Sequence, residues 1–338
     1  MGRRLAGVCV LLLMSLPACG QGGPQPGAEL GAVGDVGEGF TVGLLLPGEG
    51  PDRPLFTRAL ASLCPRCHVQ YANAGGDRAR QGRQIGRMLA DGVRVLVLGA
   101  VDPEVAAPWV ARAKLSGAKV IAYGRLANGP VDAYVATDPA RVGREQALAL
   151  LGAMKVAGPV LLLNGPASDP YAARVKRGLH AVLDGRVRVG WERDVARPEE
   201  AVGEVAAAVA ALGGPAKVAG VCCASEAAAE AVAAEMARTG MAGVPLIGYG
   251  GRPAALGRVR AGTQTATVGT DAAAEASAAA KLAVELAGGR TVYGTAVVAN
   301  GTTVSIPAVL VPPVVVTRTA THKAPDPGTA RGQSAPPH

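Results

Sequence analysis

Residues Lys119–Asp138 read KVIAYGRLANGPVDAYVATD. The apolar run Val120-Ile121-Ala122-Tyr123 predicts a strand that stops at Gly124-Arg125. A turn at Gly129-Pro130 leads to a second short strand, Tyr134-Val135-Ala136-Thr137. In open parallel sheets, ligands sit outside the carboxyl ends of strands, which is where this pattern puts Arg125. A guanidinium there offers a rigid fork of donors to sugar hydroxyls or a carboxylate. The other reading is an arginine that caps a surface loop.

On either side of this stretch, strands alternate with helices. Before it come Val42–Leu46, His68–Tyr71 and Val93–Leu98 as strands, and Pro54–Leu63, Arg78–Ala90 and Pro103–Leu115 as helices. After Asp138 the order restarts, with helices over 141–154, 170–183, 198–212, 225–239 and 253–260. Strands over 159–163, 187–191, 218–222 and 246–248 lie between them. Continuous Val/Leu runs between amphipathic helices mean parallel strands covered on both faces. Two such units of similar order predict two similar α/β domains. Thr263–Val268 differs in being β-branched, polar and extended; Asp271 then opens a long Ala-rich helix that ends near Leu286. Val304–Val316 is extended and broken by prolines.

The chain has 338 residues, 49% of them hydrophobic, with only two Trp, six Tyr and two Phe, so its cores are aliphatic. The net charge of +8 is carried by scattered arginines without interleaved aromatics, which argues against a nucleic-acid partner. The N-terminus carries the most specific signal. Arg3-Arg4 precedes an apolar run, Leu5–Leu16, too short to span a membrane. Leu16-Pro17-Ala18-Cys19 resembles a bacterial lipobox, which predicts a signal peptide over 1–18 and lipidation of Cys19; an ordinary signal peptide or short anchor is the alternative. Residues 19–40 read as a flexible tether and 318–338 as a disordered tail.

Four further cysteines remain. Cys64 and Cys67 have C-x-x-C spacing, which suits a local disulfide, a redox pair or zinc. Zinc needs two more ligands, and the histidines are dispersed. The disulfide is the favoured reading. Cys222 and Cys223 end a strand, where neighbouring side chains point to opposite faces. No nucleophile elbow, Walker loop or metal-spaced histidine pair is present, so the sequence gives catalysis no support and implies no cofactor.

These segments resemble the periplasmic sugar-binding proteins of ABC transporters, and within them the xylose-binding branch. The resemblance covers roughly Thr41–Thr317. It is carried by Gly92–Val97, Lys119–Leu126, Tyr134–Asp138 with Val142-Gly143, and above all Arg260–Val268 followed by the Ala-rich helix. It implies a type I periplasmic-binding-protein fold: two Rossmann-like lobes with parallel sheets, joined by a three-strand hinge that closes on a ligand. Residues 41–138 plus 269–303 would form the first lobe and 139–262 the second. Crossings would lie near Asp138, within 263–268 and near Val304–Val309, with C-terminal strands to 317.

The family's contacts carry over only in part. Its Tyr-Asp-Arg is Tyr123-Gly124-Arg125 here; its Asp-Asn-Asn is Asp169-Pro170-Tyr171. Its Ser-Asn-Asp is Cys223-Ala224-Ser225, and its Gln-Asp-Ala-Asp is Tyr249-Gly250-Gly251-Arg252. The first loop lacks the tryptophan but holds Arg53. The expected ligand set is therefore Arg53, Arg125 and Arg252 for polar or anionic groups, Tyr123, Tyr171 and Tyr249 for stacking, and Asp169 and Ser225. Asp169 reads equally as the cap of the helix after it. The resemblance implies a lipid-anchored solute-binding protein that delivers a small molecule, a sugar above all, to an ABC permease. A sensor or scaffold with a degenerate cleft is the alternative, and an exported thiol-redox protein a remote third.

Overall fold

The structure is a computed structural model that describes residues 38–321. Its first half contains strands β1 (Thr41–Leu46), β2 (His68–Asn73), β3 (Val95–Leu98), β4 (Lys119–Tyr123) and β5 (Ala133–Thr137). Helices α1 (Asp52–Leu63), α2 (Arg78–Ala90) and α3 (Ala107–Leu115) connect them. The second half begins with α4 (Pro139–Ala153), β6 (Val160–Asn164), α5 (Pro170–Leu183), β7 (Val189–Asp194) and α6 (Pro198–Ala211). It continues through β8 (Gly220–Cys223), α7 (Glu226–Arg238), β9 (Leu246–Gly250), α8 (Pro253–Ala261) and β10 (Ala266–Gly269). Then come α9 (Ala272–Ala287), β11 (Ala296–Val298), β12 (Ile306–Val311), β13 (Val314–Thr317) and one helical turn, α10 (Arg318–Thr321).

Two sheets result, ordered β11-β12-β5-β4-β3-β1-β2 and β13-β10-β9-β8-β6-β7. All neighbours are parallel except the edge pairs β11–β12 and β10–β13. Each sheet is the middle layer of an α/β lobe, because alternate residues of the same strand enter different cores. Val95, Val97, Ile121 and Val135 face Phe56 and Leu60 of α1 and Ala276, Ala279 and Leu282 of α9. Leu96, Leu98, Val120 and Ala136 face Ile85 and Met88 of α2 and Val110 and Ala113 of α3. In the second lobe, Leu162 and Cys222 pack toward α4 and α5, and Leu161, Leu163 and Cys223 toward α6 and α7. The adjacent cysteines thus lie in opposite cores, both buried and free.

The chain passes between lobes three times: at Asp138, at Thr270-Asp271 and at Pro312-Pro313. The second and third lie further along the chain than the segments 263–268 and Val304–Val309. Residues 263–268 lead into β10, which is fully inside the second sheet. Their polar character, which suggested a hinge, is absorbed locally: Gln264 and Thr267 both hydrogen-bond the buried carboxylate of Glu226. Ile306–Val311 is a strand of the first sheet, and the crossing follows where two prolines offer no amides to either sheet.

Four smaller differences have local causes. Phe40, assigned to the tether, is buried in the first core. Arg318–Thr321, assigned to the tail, forms a helical turn beside α8. The third helix starts at Ala107 rather than Pro103, because Asp102 accepts the amides of Glu104 and Val105 and holds a turn there. β11, only three residues long, carried no periodic signal. The signal peptide, Cys19, most of the tether and the tail beyond 321 lie outside the described residues.

Candidate functional site

The strands of each lobe end toward the other lobe, and between them lies a cavity of about 520 Å³. Both lobes line it. From the first come Gly124 and Arg125 after β4, Thr137 at the end of β5 and Glu275 in the first turn of α9. From the second come Asn164, Asp169, Tyr171, Arg197, Ser225 and Tyr249, with Thr270 at the crossing.

Arg125 is aimed by its backbone. Gly124 before it adopts φ 70°, a conformation that most residues with a β-carbon disfavour and that turns the chain at the strand end. The guanidinium donates to the carbonyl of Val101 at 3.0 Å. Its other nitrogen lies 3.7 Å from Asp169 of the facing lobe. Asp169 does two jobs: one oxygen caps α5 by accepting the Tyr171 amide at 2.8 Å, and the other faces Arg125. Ser225 caps α7 in the same way through the Ala228 amide, 3.1 Å away, and also lines the cavity. The Tyr171 and Tyr249 hydroxyls are 2.6 Å apart, their rings stacked at 6.1 Å between centroids. Burial raises both phenols.

Three of the expected residues are not on the cavity wall. The Arg53 guanidinium stacks on Tyr71, 4.6 Å from the ring centroid. Tyr123 is buried and donates its hydroxyl to Asp52 at 2.6 Å. Arg252 is exposed at the start of α8 and makes no side-chain cap bond. The cationic trio is therefore not assembled; the wall's second arginine is Arg197, held by Glu200 at 2.8 Å.

Glu275 was not foreseen. It is 5% exposed, and its carboxylate accepts the Thr137 hydroxyl at 2.6 Å. Thr137 in turn lies 3.1 Å from the Thr270 hydroxyl. Burial, with the negative charges of Asp52 and Asp271 added, pushes the carboxyl up to about 7, against the pull of Thr137. A signal for it exists in the sequence: Glu275 shares a helix face with Ala279, Leu282 and Leu286, an acid on an apolar stripe.

Away from the cleft, Cys64 and Cys67 form a disulfide that ties the end of α1 to the start of β2. Among the described residues no cluster of three His, Cys, Asp or Glu side chains is placed to hold a metal, and no helix is long and apolar enough to cross a membrane.

Two α/β lobes, crossed three times and enclosing a cavity lined from both sides, define a two-lobed solute-binding protein. The periplasmic binding protein domain is matched over residues 56–291, and the chain belongs to that family. It is similar to the D-xylose-binding periplasmic protein of Escherichia coli (strain K12), with 31% identity over 276 residues, 79% of this chain and 82% of that protein. In fold it is similar to the periplasmic ribose ABC transporter protein of Conexibacter woesei, with a TM-score of 0.71, 17% identity, and 84% and 93% of the two chains covered. A carbohydrate transporter solute-binding protein of Chloroflexus aurantiacus in complex with D-glucose gives a TM-score of 0.69 at 24% identity, covering 85% and 95%. Members of this family bind solutes rather than transform them.

Proposed function

We propose that this chain captures a small hydroxylated solute of the sugar type between its lobes and presents it to an ABC permease, held at the outer face of a membrane by lipid on Cys19. The observation that carries this reading is the cavity of about 520 Å³, with a largely apolar wall into which both lobes place a few polar side chains. That volume suits one small molecule. The named ligands of the relatives, D-xylose and D-glucose, supply the class. Arg125 and Asp169 approach each other across the cleft, so a solute that inserts its hydroxyls between them is contacted by both lobes at once and favours the closed arrangement.

Thermal unfolding of the full chain in mild detergent, against pentoses, hexoses, polyols and nucleosides, tests the proposal. A ligand that binds only the folded state at a hundredfold excess over its Kd adds about 2.7 kcal/mol. Arg125→Ala and Asp169→Ala should each abolish the shift. A shift that survives both substitutions would move binding out of the cleft.

One observation favours a second reading, a sensor or scaffold without a small ligand: the wall groups partner one another, Arg125 with Asp169 and Tyr171 with Tyr249. A panel without any shift supports it.

A further inference from the structure

Three glutamates are buried among the described residues: Glu226, Glu235 and Glu275. Buried carboxylates are ordinarily met by a countercharge. Glu226 has the Arg258 guanidinium at 3.0 Å, and Glu235 has Arg238. Glu275 has none: among the described residues no Lys, Arg or His nitrogen lies within ion-pairing distance of it. It is also the one of the three that lines the inter-lobe cavity.

The groups around Glu275 make the shortage of positive charge sharper. From its own helix comes Asp271, and from α1 comes Asp52, both negative and both raising its pKa. From β5 come Thr137 and Tyr134, from β4 Tyr123, from α5 Tyr171 and from β9 Tyr249, all hydroxyls. The wall's arginines are already engaged, Arg125 with Asp169 and Arg197 with Glu200. A bare metal ion would need several oxygen or nitrogen ligands converging there, and no such cluster exists among the described residues. An ammonium group needs one carboxylate and a few hydroxyl acceptors, and Glu275 shares the cavity wall with the hydroxyls of Thr137, Thr270, Tyr171 and Tyr249.

We propose that the cleft takes a compact polyhydroxylated solute bearing a protonated amine, an amino sugar in type, whose ammonium group docks on Glu275. This rests on the reading of the cleft as the ligand site. The ammonium supplies the countercharge that the chain supplies for its other buried glutamates, and the remaining hydroxyls meet Asp169, Asn164 and the tyrosine pair. In the free protein near pH 7 part of the Glu275 population carries a proton. Docking of the ammonium expels that proton to solvent, so binding is linked to proton release.

The test is titration calorimetry on the full chain in mild detergent at pH 7. D-glucosamine, D-galactosamine and D-mannosamine are compared with D-glucose, D-galactose and D-mannose. At least one amino sugar should bind roughly tenfold or more tighter than its parent. Its heat should differ between phosphate and Tris buffers in the sense of proton release. Glu275→Gln should bring the amine and its parent to within about threefold of each other. The buffer dependence is read on the unsubstituted protein, so it decides the question even if the variant folds poorly. Equal binding of amines and parents overturns the inference and leaves the sugar reading standing. An amine preference that survives Glu275→Gln, or that comes without proton release, also overturns it. Binding of neither set overturns the inference and leaves the sugar reading to be decided by the wider panel of pentoses, polyols and nucleosides.

Discussion

Glu226 and Glu275 both sit in the first turn of a helix and are both buried, yet their partners differ. Glu226 is held in a network of Arg258, Gln264 and Thr267. Arg258→Ala would strand that carboxylate, and we expect a loss of roughly 3–5 kcal/mol in urea unfolding. Recovery of part of that loss on adding Glu226→Gln would show that the stranded charge, not lost packing, is the cause. Glu275 has no such cation, and burial favours its protonated form. Its carboxyl is raised from 4.5 to about 7, so in that window the folded state binds a proton that the unfolded chain has released. Its contribution therefore falls as pH rises from about 4.5 to about 7, by roughly 3 kcal/mol, and is level above. Hydrogen bonds to Glu192 and Asp184 raise His180, whose contribution is likewise lost as pH rises through its folded pKa. The difference between the protein and Glu275→Gln isolates the carboxyl: the variant should be the more stable at pH 8, and the gap should close toward pH 5. Parallel stability profiles would refute the shift. Cys222, pushed up to about 12 by burial, should stay unreactive to a thiol reagent until the chain unfolds.

At the scale of elements, α4 and α5 meet through two glycines. A β-carbon on Gly143 would lie 2.0 Å from the Val175 carbonyl, and one on Gly178 would lie 2.1 Å from that of Ala140. Either Gly→Ala change must push the helices apart, with an expected cost of roughly 2 kcal/mol or more, read as a fall in Tm. Gly152→Ala, on the same α4 but with no atom near its β-carbon, should be neutral or stabilising by up to about 1 kcal/mol. Equal effects at Gly143 and Gly152 would mean that the crossing tolerates spreading. The elements themselves were legible wherever one signal ruled. The Val/Leu runs of β3 and β6 and the aspartate and serine caps of α5 and α7 declare themselves, because burial on both faces and the needs of free amides leave few residue choices. β10 was misread because its polar residues are satisfied by partners far along the chain. The site was harder for the same reason. Arg125, Asp169, Ser225, Tyr171 and Tyr249 reach the cavity from strand and helix ends that a sequence can locate. Whether Arg53, Tyr123 or Arg252 joins them depends on side-chain neighbours that a sequence does not show.

At the scale of the molecule, ligand capture should be visible as closure. With a bound solute the radius of gyration from small-angle scattering should shrink, and Asp169→Ala should remove the change, since its partner Arg125 is on the other lobe. An unchanged radius at saturating solute would count against closure. Cys19→Ala should move the protein from the membrane fraction to the soluble one, if lipid at that residue is the tether.

The three crossings also fix when the molecule can form. The first sheet is ordered β11-β12-β5-β4-β3-β1-β2, so β5 stays an open edge until Val311 has been synthesised. The helix that covers one face of that sheet, α9, is made only after nearly all of the second lobe. The first lobe cannot complete its sheet or its core until those late segments have emerged from the ribosome. For a protein of a periplasmic family, a nascent chain that stays threadable until its last strands arrive is one an export channel can still accept.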